Sequence, residues 1–261
     1  MTSKTPEFIL VEKRANSVAV ITFNRPEVRN ALHLPMNLEI RDALERLADD
    51  PDVSALILQG AGGKAFVSGA DIAELRERKG PEAMLMHNAM LCDAIAAFPY
   101  PTIAAVEGWA LGGGCEIAIA CDMRVASTKA RFGQPEVSLG ILPAAGGTWR
   151  LPRLVGLAKA KELIFTAAII DAEEARGLGL VNHVVEPGQA LERAIELAEA
   201  CTKQSRNAVR LAKASIVGSL PPATSDLEAI GQTQLYDDPE KWKRMTAFLE
   251  RRNKKRSGDS S

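Results

Sequence analysis

The chain has 261 residues, 46% of them hydrophobic, with 32 Lys and Arg against 33 Asp and Glu and a formal net charge of −1. That length suits one large domain or two small ones and can bury a substantial core without disulfides. The balanced charge gives the whole chain no electrostatic pull toward nucleic acid or an anionic membrane.

The four cysteines (Cys92, Cys115, Cys121, Cys201) contain no C-x-x-C pair, and the three histidines (His33, His87, His183) no H-x-x-x-H pair. Free thiols in a reducing compartment are expected, and a metal site is not. No apolar run reaches spanning length, and the polar stretch Met1–Phe8 lacks the apolar core of a secretory signal. The default expectation is a cytoplasmic protein.

In chain order, Phe8–Lys13 and Val18–Phe23 run apolar or alternate around Ala15-Asn16-Ser17, which predicts a hairpin. Asn24-Arg25-Pro26-Glu27 ends it in a turn. Pro35 sits at the start of a helical pattern carried by Met36, Ile40, Ala43, Leu44 and Leu47. Ala55–Leu58 reads as a short buried strand, and Gln59–Lys64 as a glycine-rich loop. Asp71 is placed to cap a helix that begins beside it, because a carboxylate accepts from early helical N–H groups. Gly69 and Ala70, just before it, are small enough for something to approach their backbone. Pro81–Phe98 reads as one longer helix, stopped by Pro99-Tyr100-Pro101.

The most informative stretch follows. Thr102–Val106 is apolar and partly β-branched, a buried strand. Gly112, Gly113 and Gly114 then allow a sharp turn and a close approach, and a buried helix runs from Glu116 to Ala120. A helix that opens on a glycine turn leaves unpaired N–H groups, which favour negative charge. Glu116 in the first helical turn and Glu136 after a second turn frame the place. Donors for an anion beside two acid–base groups suggest catalysis, whereas a tight helix–strand junction with a solvated glutamate is the plainer alternative.

A second glycine loop, Pro143–Thr148, leads to a helix over Ala158–Phe165. Asp171-Ala172-Glu173-Glu174 resembles a capping box, closed by Gly177 and Gly179. Val181–Val185 is the last expected strand. From Gln189 the pattern is helical only, with apolar stripes at Leu191, Ala194, Ile195 and Ala198, at Val209, Ala212 and Ile216, and at Trp242, Met245 and Leu249. These stripes need a partner, either the first domain or another subunit. The basic run Arg251–Arg256 reads as a solvated helix end or as a phosphate contact. The first two-thirds thus repeat short strands followed by a helix, an α/β core with an α-helical appendage.

N-R-P-x-x-x-N-A-L (Asn24–Leu32), S-G-A-D-I (Ser68–Ile72), A-L-G-G-G-C-E (Ala110–Glu116), F-G-Q-P-E (Phe132–Glu136) and P-x-A-G-G-T-x-R-L (Pro143–Leu151) occur in this order. Each is modest alone, but together they resemble the enoyl-CoA hydratase/isomerase (crotonase) family over nearly the whole chain. The resemblance implies a spiral core of repeated strand–strand–helix units at 1–188. It also implies an all-helical region at 189–261 for oligomerisation and for covering the active site.

By the same resemblance the substrate is an acyl-CoA thioester, held by its carbonyl between the backbone N–H groups of Ala70 and Gly113. Glu116 and Glu136 would hold the water that adds to a trans-2-enoyl-CoA. Glu116 would orient and deprotonate it, and Glu136 would pass a proton to the α-carbon. Coenzyme A would lie near Arg25, Val28, Arg29, Ala31, Ser68, Gly69, Ala70, Asp71, Ile72, Gly112 and Gly113. No cofactor is implied beyond the CoA of the substrate, and a homotrimer or dimer of trimers is.

Three positions depart from the family pattern. Ser68 stands where Ala or Cys is common, Ala144 where Gly is common, and Trp149 where Gln is common. Trp149 would either reshape the acyl pocket or pack on a neighbouring helix. The competing readings are an enoyl-CoA isomerase, a hydratase of glutaconyl-type thioesters, and a non-catalytic or RNA-binding relative that uses the basic tail.

Overall fold

The computed structural model describes residues 6–83, 85–218, 233, 235–237 and 239–258. Of the polar N-terminal stretch, residues 1–5 lie outside them, as do the side chains of Lys255 and Arg256 in the basic tail.

Two sheets organise the molecule. β1 (Ile9–Arg14) and β2 (Val18–Phe23) form the expected antiparallel hairpin. Its turn places Asn16 and Ser17 at φ 63° and 61°, a backbone region that Asn tolerates better than most residues. β3 (Ala55–Gly60), β5 (Thr102–Val106), β7 (Met123–Ser127) and β10 (His183–Val185) extend β2 in parallel, in the order β1-β2-β3-β5-β7-β10. A smaller sheet holds β4 (Ala65–Val67), β6 (Trp109–Leu111), β8 (Arg131–Gly133) and β9 (Ile169–Asp171), in that order.

Each turn of the chain gives one strand to each sheet. β3 and β4 lead to α2 (Ile72–Glu77), β5 and β6 to α5 (Gly113–Ala120), and β7 and β8 to a 3₁₀ turn at Pro135–Leu139 followed by α6 (Gly147–Val155). This is the repeated strand–strand–helix spiral. Its consequence for function is that the residues just after β4, β6 and β8 come together on one side of the small sheet.

Both faces of the large sheet are covered, which is why its strands read as continuous apolar runs. Ala19, Ile21, Phe23, Leu56 and Leu58 face the main core, shared with α1 (Leu34–Ala48), α4 (His87–Ala97) and the small sheet. Val18, Val20, Ala55, Ile57, Ile103 and Val125 face the other way, onto Ala190, Ala194 and Ala198 of α9 (Ala190–Thr202). The first apolar stripe of the all-helical region therefore finds its partner in the sheet. Glu107 caps α9, accepting from Gly188 N at 2.9 Å and Ala190 N at 2.8 Å.

One expected element is broken. The segment read as a single helix from Pro81 to Phe98 is two, α3 (Gly80–Ala83) and α4, separated by Met86 at φ 44°. A left-handed residue ends the helical ladder whatever the periodicity of its neighbours. The remaining helices are α7 (Leu157–Thr166), α8 (Ala172–Gly177), α10 (Arg206–Gly218) and a C-terminal helix at Pro239–Gly258. Asp171 caps α8 as expected, accepting from Glu174 N at 2.9 Å.

Candidate active site

The site is built where two backbone turns meet. The first follows β4. Ser68 N donates to Arg29 O at 3.1 Å, Leu32 N to Gly69 O at 2.8 Å and Asp71 N to Leu32 O at 2.7 Å. These bonds stitch the segment 24–32 to the segment 68–72. Asn30, fully buried, anchors the first of them, donating to Ala61 O at 3.0 Å and Ala65 O at 2.9 Å and accepting from Arg25 N at 3.0 Å. Asp71 caps α2 by accepting from Ala73 N at 3.1 Å. Ala70 N stands between these bonds with no acceptor of its own among the described residues.

The second turn follows β6. Gly112, at φ 52°, turns the chain into α5. A Cβ on Gly114 would sit 1.9 Å from Val67 O, so α5 reaches this depth against β4 only because that residue is glycine. Gly113 opens α5, and the N–H of a first helical residue has no intrahelical partner. The position of a Cβ on Gly113 lies 3.9 Å from Ala70 N. The two amides thus border one small space.

Two carboxylates face the same space. Glu116 is buried one turn into α5, and its Oε1 accepts from Ala145 N at 2.7 Å and Gly147 N at 2.8 Å. Both donors belong to the second glycine loop. Arg150 braces that loop, donating to Ala145 O at 3.0 Å and to Asp93 Oδ1 at 2.6 Å, with its guanidinium 4.0 Å from the Trp149 ring centre. Two backbone donors on one oxygen fix where this carboxyl group stands.

Glu136, in the 3₁₀ turn after β8, lies over Gly112, where a Cβ would meet Glu136 Oε1 at 2.7 Å. Burial holds its carboxyl well above the usual range, and the charge of Glu116 adds to the effect. With its amide nitrogen turned toward Glu136, buried Gln134 donates to Oε1 at 3.2 Å and Oε2 at 3.3 Å. Of the two, Glu136 is thus the carboxyl that burial pushes toward its protonated form.

These groups line a cavity of about 200 Å³. Leu75, Leu139, Ile141, Ala144, Tyr236 and Phe248 give it an apolar wall. Of the residues singled out in the sequence, Ser68, Gly69, Ala70, Ile72, Gly112, Gly113, Glu116 and Glu136 line it. Arg25, Val28, Arg29, Ala31 and Asp71 do not. Arg25 donates to Ala31 O at 2.6 Å and approaches Asp71 at 3.7 Å, and Arg29 is exposed on a left-handed turn at φ 56°. Trp149 also lies off the cavity, stacked between Arg150 and Arg153. Gln134 and Asn88 lie at the site without having been picked out from the sequence. Gln134 stands inside the F-G-Q-P-E motif, whereas Asn88 belongs to no motif. Among the described residues no cluster of His, Cys, Asp and Glu could hold a metal ion, and no helix is long and apolar enough to cross a membrane.

The model of the enoyl-CoA hydratase/isomerase family matches residues 13–258. The chain is 43% identical to a crotonyl-CoA hydratase of Syntrophomonas wolfei over 251 residues, 94% of this chain and 96% of that one. It is 44% identical to a short-chain-enoyl-CoA hydratase of Clostridium acetobutylicum over 252 residues, 94% of this chain and 95% of that one. Among solved structures, the crystal structure of an enoyl-CoA hydratase from Bacillus anthracis superposes with a TM-score of 0.80 at 36% identity, covering 94% of this chain and 97% of that one.

Proposed function

The chain belongs to the enoyl-CoA hydratase/isomerase family, and on that premise we propose that it is a hydro-lyase adding water reversibly across the 2,3 double bond of a short trans-2-enoyl-CoA. The names of the relatives support the activity. The observation that carries the mechanism is the pair of buried carboxylates, Glu116 and Glu136, on one cavity, beside two backbone N–H groups that have no acceptor among the described residues.

In this reading the thioester oxygen sits between Ala70 N and Gly113 N. Negative charge develops on that oxygen as the nucleophile adds to C3, and fixed donors in a water-poor cavity stabilise it, each worth roughly 10²–10³ in rate. Glu116 is the base. It takes one proton of the water while the water oxygen bonds to C3. The electron pair of the double bond moves toward C2, and protonated Glu136 delivers its proton there. The product is the 3-hydroxyacyl-CoA, and a proton exchange between the two carboxyl groups and solvent resets the pair. No cofactor is required beyond the CoA of the substrate.

Residues 1–188 serve as the catalytic core in this reading, and 189–261 serve for cover and assembly. Tyr236 and Phe248 on the cavity wall support the cover. Exposed Leu211 and Ile216 on α10 support assembly into a homotrimer or dimer of trimers, and the proposed location is the cytoplasm. In this reading the CoA contacts of Arg25, Val28, Arg29, Ala31 and Asp71 run along the rim, since these residues do not line the cavity itself.

The test follows loss of the enoyl-thioester absorbance with crotonyl-CoA, for the wild type, Glu116→Gln and Glu136→Gln. Each variant is expected to lose about 10²–10⁴ in kcat, with acyl-CoA binding intact. A wild type that binds acyl-CoA but hydrates nothing would overturn the reaction, and a 3-enoyl-CoA run in parallel would then report isomerisation.

A further inference from the structure

Asn88 belongs to none of the sequence motifs, yet its side chain enters the space between the two turns. The Cβ position of Gly113, 3.9 Å from Ala70 N, is also 3.9 Å from Asn88 Nδ2. Asn88 Nδ2 and Ala70 N thus stand equally far from that position beside the Gly113 backbone, with only Leu32 Cδ1, at 3.3 Å, nearer to it.

The orientation of the Asn88 amide is fixed from behind. Its Oδ1 accepts from Asn37 Nδ2 at 2.8 Å, and Asn37 is a fully buried residue of α1. With the oxygen engaged, the nitrogen of Asn88 faces the cavity, which Asn88 lines. Neither N–H on that nitrogen has an acceptor among the described residues. The buried Oδ1 of Asn37 has no donor among the described residues, a cost that serves no purpose if the pair only fills space.

The helix break has its use here. Met86 at φ 44° starts α4 at His87, so Asn88 sits in its first turn, beside the first turn of α5. One unbroken helix from Pro81 would not start a new turn at this point.

We propose that Asn88 is a third donor to the thioester oxygen, a catalytic residue that Asn37 positions. The inference rests on the seating of that oxygen between Ala70 N and Gly113 N. A side-chain amide is a neutral donor in a water-poor place, so it stabilises developing negative charge without carrying charge that would also hold the ground state.

The test reads the bond that is polarised. Butyryl-CoA labelled with ¹³C at the carbonyl cannot be hydrated, and its C=O stretch shifts down when donors engage the oxygen. The wild type is expected to lower the stretch on binding. Asn88→Ala and the near-isosteric Asn88→Asp, which keeps the shape and loses both N–H groups, are expected to lose part of that shift. Both are expected to lose about tenfold or more in kcat with crotonyl-CoA, with KM changed much less. Asn37→Leu, which frees the Asn88 amide, is expected to fall between. Thermal melts identify any variant that has not folded, and the aspartate variant then stands in for the alanine one. If the wild type shows the shift and a folded Asn88 variant keeps all of it, Asn88 is not a donor, while the seating of the oxygen survives. If the wild type shows no shift, the seating itself fails and the inference with it.

Discussion

Burial of Glu136 beside Glu116 disfavours its charge, and the consequence can be read in stability as well as in rate. A carboxyl raised in the folded state binds its proton more tightly there than in the unfolded chain, where it titrates near the usual ~4.3. Stability from this group is therefore fully present at acid pH and is lost as pH rises through the raised value. Glu136→Gln removes the titration. It is expected to melt at a higher temperature than the wild type at pH 8, with the difference shrinking toward pH 4, while activity is lost. Melting curves across that range check it, and a constant difference would mean that the carboxyl is not the cause. The same group predicts that hydration falls at alkaline pH, as the proton destined for C2 is lost.

Arg150 is the second residue whose effect reaches the chemistry indirectly. It touches no reacting atom but holds the Ala145 carbonyl in the loop whose amides grip Glu116. Lysine keeps the charge but lacks the planar fork that spans Ala145 O and Asp93. Arg150→Lys is expected to lower kcat by about 10–10²-fold, the usual scale for misplacing a catalytic group by an ångström, with KM nearly unchanged. Steady-state kinetics separate the two. A rise in KM alone would show that the loop serves binding instead.

At the scale of the element, the glycines show which contacts the spiral depends on. Gly114→Ala places a methyl group inside the Val67 carbonyl, which would force α5 away from β4. It is expected to cost about 3 kcal/mol, the upper part of the overpacking range, and to abolish activity by moving Gly113 and Glu116. Gly177→Ala, at the end of α8 with nothing within 4 Å of its Cβ, is expected to stabilise by roughly 0.4–1 kcal/mol through the unfolded chain. Urea midpoints of the two variants check both signs.

Legibility from sequence divides along the same line. The hairpin, α1, β3, β5 and the caps at Asp71 and Asp171 were readable because each is specified within its own few residues. β4, β6, β8 and β9 are three residues long, too short for a period, and they exist because each finds a ladder partner far along the chain. The break at Met86 was hidden for the opposite reason, since the apolar pattern of Pro81–Phe98 continues across it. In the site, Glu116, Glu136, Ala70 and Gly113 could be picked out from motifs. What orients them could not. Ala145 N, Gly147 N, Gln134 and Asn88 act through contacts between segments, which no local spacing encodes.

Over the whole molecule, stability is not spread evenly, and the cavity sits at a seam. The sheets and α1, α4 and α5 share one continuous core, and α9 closes the other face. The outer wall of the cavity belongs to a separate cluster of Leu75, Ile141, Tyr236 and Met245, joined by Ile72 and Leu139. A small cluster of this kind can open without unfolding the rest. Met245 is fully buried there, and its loss to alanine would cost roughly 2–5 kcal/mol in a well-packed core. If the cluster is a separate unit, that cost falls on its own opening and not on global unfolding. Met245→Ala is then expected to raise KM for crotonyl-CoA and to speed amide exchange in α2 and the C-terminal helix, while peptides from β2, β3 and β5 exchange as in the wild type. Hydrogen exchange followed by mass spectrometry reads each segment separately. Equal loss of protection in all of them would show that wall and sheets unfold as one, and the cavity would then open only when the whole fold does.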